Sequence, residues 1–143
     1  MRNRMASLLV AAALVAAAAA PLRAEKVTRP RPGPAGSWRL IGQTQARHTA
    51  DHDAIVVQGP YDNFRRLKFK VTDAPLHMHH MLVTYDNGAP DRIDVRQEIP
   101  RGGESRVIDL RGAGQRSLRR VEFWYDTKGL MNGQADVTLF GMK

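Results

Sequence analysis

The stretch with the most chemistry in this chain is His77-Met78-His79-His80. In an extended strand, side chains alternate between faces, so His77 and His79 share one face, about 6.6–7 Å apart along the chain. Two neutral imidazoles so placed are the beginning of a Zn²⁺ or Cu²⁺ site. Met78 and Met81 add thioethers suited to Cu⁺, and His48 and His52 are further imidazoles that an adjacent strand would bring alongside. Against this, the chain has no cysteine and no HExxH pattern. Two imidazoles also fall short of the three or four protein ligands that zinc uses. The sequence alone therefore assigns no metal and no other cofactor. His77 and His79 stay as candidates beside the plainer reading, a polar strand face.

Other polar groups are less specific. Asp51-His52-Asp53 places alternating carboxylates on an expected loop. Calcium sites need six to eight oxygens, whereas aspartates in turns ordinarily accept local backbone N–H bonds. Asp109 and Glu122 would make an acid–base pair only if the fold brought them together. Ser37, Ser105 and Ser117 lack the Gly-x-Ser-x-Gly setting of a nucleophile elbow, and Ser105 reads as the opening of a strand. Gly102-Gly103 and Gly112-Ala-Gly114 lack the strand–glycine–helix context of a phosphate loop. No catalytic residue is assigned, and the expectation is a protein that is not an enzyme.

Cations cluster twice. Arg65, Arg66, Lys68 and Lys70 lie on one run, and Arg116, Arg119 and Arg120 on another. Joined on neighbouring strands, they would make a patch for an anionic envelope component, since arginine forks suit phosphate and carboxylate. Separately, they are solvated faces that discourage edge-to-edge association. The net charge is +8, and three cations with no acid lie in the first 24 residues, which leaves +5 for the remainder. Aromatic interleaving is sparse, so no specific nucleic-acid binding is expected.

These groups must be positioned by a chain that begins with an export signal. Arg2 and Arg4 precede an unbroken apolar run of 13 residues, Leu8 to Ala20. At a helical rise of ~1.5 Å per residue that run spans about two thirds of a bilayer core, which fits a signal peptide better than an anchor. Residues 1–24 are read as the signal peptide, with cleavage after Ala24, and no membrane span remains after it. Residues 25–36 carry Pro30, Pro32 and Pro34 and read as an extended tether. Residues 37–143 form one domain.

Within that domain, apolar residues recur every second position. Leu67, Phe69 and Val71 alternate with Arg66, Lys68 and Lys70, and Val121, Phe123 and Tyr125 with Arg120, Glu122 and Trp124. This is the period of half-buried strands. Trp38, Leu40 and Gly42 are expected on one face of the first strand, with Arg39, Ile41 and Gln43 on the other. Asp86-Asn87-Gly88, Arg101-Gly102-Gly103 and Asn132-Gly133 supply turns. About eight short strands at near-regular spacing predict an all-β fold, an antiparallel, jelly-roll-like β-sandwich.

Several residues taken in order carry a family likeness. They are Asp51-x-Asp53-x-Ile55, Asn87-Gly88, Ser105-Arg-Val-Ile-Asp-Leu-Arg-Gly112, Arg116 and Phe123-x-Tyr125. Across residues 37–142 the chain resembles small exported bacterial proteins with an uncharacterised β-sandwich domain, a domain-of-unknown-function family. The resemblance implies export and an all-β domain, and it implies no activity. The function expected is a binding or interaction module of the envelope, periplasmic or secreted. A metal-handling protein using the His77–His80 strand is the alternative, and an envelope enzyme the third. Mass spectrometry of protein recovered from its native host should find an N-terminus at Glu25. A mature pool that retains Met1 would refute the cleavage.

Overall fold

The computed structural model describes residues 24–47, 52–59, 63–112, 116–126 and 134–143. The segment read as a signal peptide up to Arg23, His48, Asp51 and the turn expected at Asn132-Gly133 lie outside the described residues. The strands are β1 (Ala24–Thr28), β2 (Trp38–Arg47), β3 (His52–Val57), β4 (Arg66–Thr72), β5 (Leu76–Tyr85), β6 (Asp91–Ile99), β7 (Ile108–Asp109), β8 (Leu118–Asp126) and β9 (Gln134–Met142). No helix occurs among the described residues. One sheet has the order β1-β3-β8-β5-β6 and the other β2-β9-β4-β7. Strands 2 and 9, 3 and 8, 4 and 7, and 5 and 6 pair antiparallel. The chain from β2 to β9 is thus one long hairpin folded over itself, and both sheets draw strands from each arm.

The period-2 alternation dictates the packing. Leu67, Phe69, Val71, Val121, Phe123 and Leu139 are all at 0% exposure, as their charged or polar neighbours required. They belong to a single apolar cluster fed by both sheets. Phe69 of β4 meets Phe123 of β8 across the layers, with ring centroids 5.5 Å apart. No disulfide contributes, because there is no cysteine. Burial of side chains of this size, about 1.5–3 kcal/mol each, must offset the chain entropy by itself.

Two expectations are corrected at β1 and β2. The strand β2 carries a register shift between Leu40 and Gly42. Arg39 and Ile41 face inward before it, Thr44 and Ala46 after it, and Trp38 and Leu40 are half-buried outside. An extra residue in one strand switches its inward phase, which simple alternation cannot anticipate. The first residues of the expected tether form β1, paired in parallel with β3 from Ala24↔Asp53 to Thr28↔Val57. Gly42 makes room for this strand: a Cβ there would lie 2.5 Å from the Thr28 Cγ2. The Thr28 hydroxyl donates to the Ile41 carbonyl. Only from Arg29 onward does the proline-bearing segment leave the ladder.

The loops are held by buried polar groups. The Arg116 guanidinium lies 3.7 Å over the Tyr85 ring and donates to the carbonyls of Ala89 (2.8 Å) and Arg111 (2.7 Å). It also faces Asp91 at 3.5 Å, and Asp91 accepts the Tyr85 hydroxyl at 2.6 Å. Burial first, and then the bond to Asp91, push the Tyr85 phenol well above its ordinary value. Gly88 and Gly112, both at positive φ, flank this guanidinium: a Cβ at either would sit about 3 Å from its side chain. Ser105 does not open a strand. It lies along the edge of β4, where its Oγ accepts the Phe69 N–H at 2.9 Å.

Phe123→Ala should lower unfolding free energy by about 3–5 kcal/mol in urea denaturation. A loss below about 1 kcal/mol would show that the ring is not packed between the sheets.

Candidate functional site

The outer face of the five-stranded sheet gathers every histidine among the described residues. His52 of β3 and His80 of β5 both register with Trp124 of β8. Neighbouring strands bring these side chains side by side, and the rings stack. The His52 and Trp124 centroids are 4.1 Å apart at 13°, and those of His80 and Trp124 4.4 Å apart at 15°. The indole is held between two imidazoles. His52 Nε2 donates to the Glu122 carboxylate at 3.1 Å, Arg120 Nε reaches the same carboxylate at 2.8 Å, and Arg120 joins Glu25 of β1 at 3.1 Å. On the far side His80 registers with Asp94 of β6, which is flanked by Arg92 and Arg96.

The loop expected at Asp51-His52-Asp53 is instead the start of β3 for its last two residues. His52 is covered by Trp124, and Asp53 points into the core, where it accepts the Tyr125 hydroxyl at 3.1 Å. The apolar run that follows continues the ladder back to this point. Nor is His52 on a strand adjacent to β5: β8 lies between them, and its Trp124 fills the gap.

One turn along the same face, β5 breaks its alternation. The register shifts between Met78 and His80, and His79 is the extra residue. A bulge lets consecutive side chains emerge together, so His80 comes out beside His79, whereas His77 and His79 share a face by plain alternation. His77 and His79 are in edge contact with ring centroids 4.8 Å apart. His77 registers with Asp126 on one side and Glu98 on the other. These four residues, with Pro75 and Leu76, line a recess of about 220 Å³. Met78 and Met81 are turned fully into the core, so neither thioether reaches this face. Among the described residues no three His, Asp or Glu side chains are already gathered closely enough to hold a metal ion.

The remaining candidates are separated. Arg66, Lys68 and Lys70 line the outer face of the four-stranded sheet, whereas Arg119 and Arg120 belong to the other sheet and Arg116 to the loop clamp. The two cationic runs therefore make no common patch. Arg66 is paired with Asp109 (3.2 Å) and Lys68 with Glu104 (3.4 Å). Asp109 and Glu122 lie on different sheets. The hydroxyls of Ser37, Ser105 and Ser117 are bonded to Pro34 O, Arg106 O and Asn63 Oδ1. A carboxyl pair absent from the sequence reading does form. Asp136 shares a hydrogen bond with Asp73, and burial first and then this partner raise it above the usual carboxylate range. Asp73 follows Thr72, which registers with Asp136 on β9, and takes a positive φ.

A family model described as a domain of unknown function, DUF2541, matches residues 5–141. The chain belongs to that family. No curated protein and no solved structure matches it. The family description carries no activity, but the structure explains several of the residues that carried the resemblance. Gly88, Gly112 and Arg116 meet in the loop clamp, Ser105 stitches the edge of β4, and Asp53 and Tyr125 share one buried hydrogen bond. Their roles are architectural. The histidine face lies outside that set.

Burial, followed by the Arg92 charge, holds the His80 imidazole below its ordinary value of 6.5, against an opposing pull from Asp94. The unfolded chain therefore takes up this proton at higher pH than the folded one, and His80 costs stability as pH falls through about 6.5. Chelator-washed protein should lose more unfolding free energy between pH 8 and pH 5 than His80→Gln does. Equal losses would mean that His80 ionises as freely in the fold as out of it.

Proposed function

We propose that the chain is an exported, jelly-roll-like binding module of the cell envelope, without catalytic activity, and that its ligand sits on the outer face of the five-stranded sheet. The observation that carries this reading is the row His52–Trp124–His80 beside the recess lined by His77 and His79. Recognition needs a few polar groups held in fixed positions at a concavity. Stacking fixes two imidazoles and an indole here, and the alternation of β5 places two more imidazoles at the rim. The serine hydroxyls, engaged in backbone and side-chain bonds, lend no support to a nucleophile.

The ligand is polar and not strongly anionic. Glu98 and Asp126 line the recess itself, so an anionic group entering it would meet like charge, while Glu122 and Asp94 are offset by Arg120 and by Arg92 and Arg96. An anionic component would have to use the other sheet, where Asp109 and Glu104 already neutralise two of the β4 cations. Titration of ¹⁵N-labelled protein with neutral envelope sugars and their anionic counterparts separates the two. The neutral ligands should shift the backbone resonances of His77, His79, His80 and Trp124. Shifts confined to Arg66, Lys68 and Lys70 would move the binding face to the four-stranded sheet.

A further inference from the structure

We infer that His77 and His79 form a site for a divalent transition-metal ion, completed by the carboxylate of Glu98 or Asp126. The inference deepens the binding-face reading by naming a ligand class for the recess.

Ring geometry is the first support. Metal–nitrogen bonds of about 2.0–2.1 Å place each imidazole centroid about 3.2 Å from the ion, so two ligands at 90–110° have centroids about 4.5–5.2 Å apart. His77 and His79 stand at 4.8 Å with planes at 66°. The edge contact is not itself the ligating pose, so metal binding requires both rings to turn about their side-chain bonds until a nitrogen of each faces the ion. Alternation puts His77 and His79 on one face of β5, and the bulge that follows brings His80 out on that face too, toward Trp124.

The neighbours supply the charge that such an ion needs. His77 has a carboxylate directly across from it on each side, Asp126 on β8 and Glu98 on β6. Directly opposed residues in antiparallel strands have Cβ atoms about 4.5–5.5 Å apart, within reach of a shared ligand. All four side chains open on the same recess of about 220 Å³, which has space for the ion and its waters. Exposed Glu98 closes onto the ion only when it binds, which accounts for the lack of a preformed three-ligand cluster.

The donor set selects the metal. Two imidazole nitrogens and a carboxylate oxygen suit Cu²⁺ and Zn²⁺, with Cu²⁺ the tighter by the ordinary order of divalent affinities. Cu⁺ is disfavoured because Met78 and Met81 are buried and there is no thiolate. His80 is committed to its stack on Trp124, so it stands next to the site without joining it.

Isothermal calorimetry of untagged, chelator-washed protein with Cu²⁺ alone and with Zn²⁺ alone tests the site. Cu²⁺ should bind one to one at about micromolar Kd, with Zn²⁺ weaker, and Cu²⁺ should quench the Trp124 emission from beside its stack. The Cu²⁺ electron paramagnetic resonance spectrum should show coupling to two imidazole nitrogens. His77→Ala and His79→Ala should each weaken binding by roughly tenfold or more, and the double variant should abolish it with its circular dichroism unchanged. Made singly in the otherwise unaltered protein, either Glu98→Gln or Asp126→Asn should weaken binding, and that result identifies the carboxylate. Binding weaker than millimolar, or binding that survives the double variant and is lost in His52→Ala/His80→Ala, would overturn the inference. The binding-face reading would still stand if neutral sugars shift the same resonances while both metals fail to bind.

Discussion

Phe123 against Phe69 is the contact on which both layers depend. The two rings meet at 5.5 Å from opposite sheets, and each lies in the middle of its strand. Because strand side chains alternate, committing Phe123 to the core commits Glu122 and Trp124 to the outer face. Trp124 then lies between the outward residues of β3 and β5, and those residues are His52 and His80. The polar row on the outside is thus a consequence of apolar packing on the inside. A one-residue slip of β8 would bury Glu122 and Trp124 and dismantle core and row together.

The departures from alternation are where the chain gains geometry that a plain sandwich lacks. At the bulge in β2, Gly42 opens a seat for Thr28, and an extra strand is recruited onto the five-stranded sheet. At the bulge in β5, His80 comes out on the face that His77 and His79 already share and stacks on Trp124. Bulges are expected where a strand must re-aim a side chain. Two buried carboxylates are paired: Asp53 with Tyr125, and Asp91 with Tyr85 and Arg116. Unpaired, each would carry a desolvation cost of about 1–3 kcal/mol or more, so these bonds help to set how the loops lie on the sheets.

The two outer faces differ in chemistry. On the four-stranded sheet, Lys68 lies over the Trp38 ring at 4.5 Å and pairs with Glu104, so part of its charge is already used within the molecule. On the five-stranded sheet, imidazoles, an indole and carboxylates surround a recess. The net charge of +5 beyond residue 24 would point to the first face. Local arrangement points to the second, because exposed ion pairs screen a bulk excess while a row of stacked rings stays fixed in place.

Much of the fold was legible in the residues themselves. The alternation around Leu67–Val71 and Val121–Tyr125 placed the core side chains, because burial of one face is a local, periodic demand that each strand records in its own residues. The strand β1 was not legible, since Glu25–Thr28 is short, polar and next to three prolines, and it forms only against a partner that offers a glycine seat. The phase of β2 was hidden for a similar reason: a bulge is dictated by the neighbouring strand. The histidines divide the same way. Residue types and spacing marked His77 and His79 as able to bind a metal. That His52 and His80 clasp Trp124, that Asp126 and Glu98 flank His77, and that the methionines turn away were decided by register alone. Register is set by which strands become neighbours, and that information is spread over the whole chain, not held in any one segment of it.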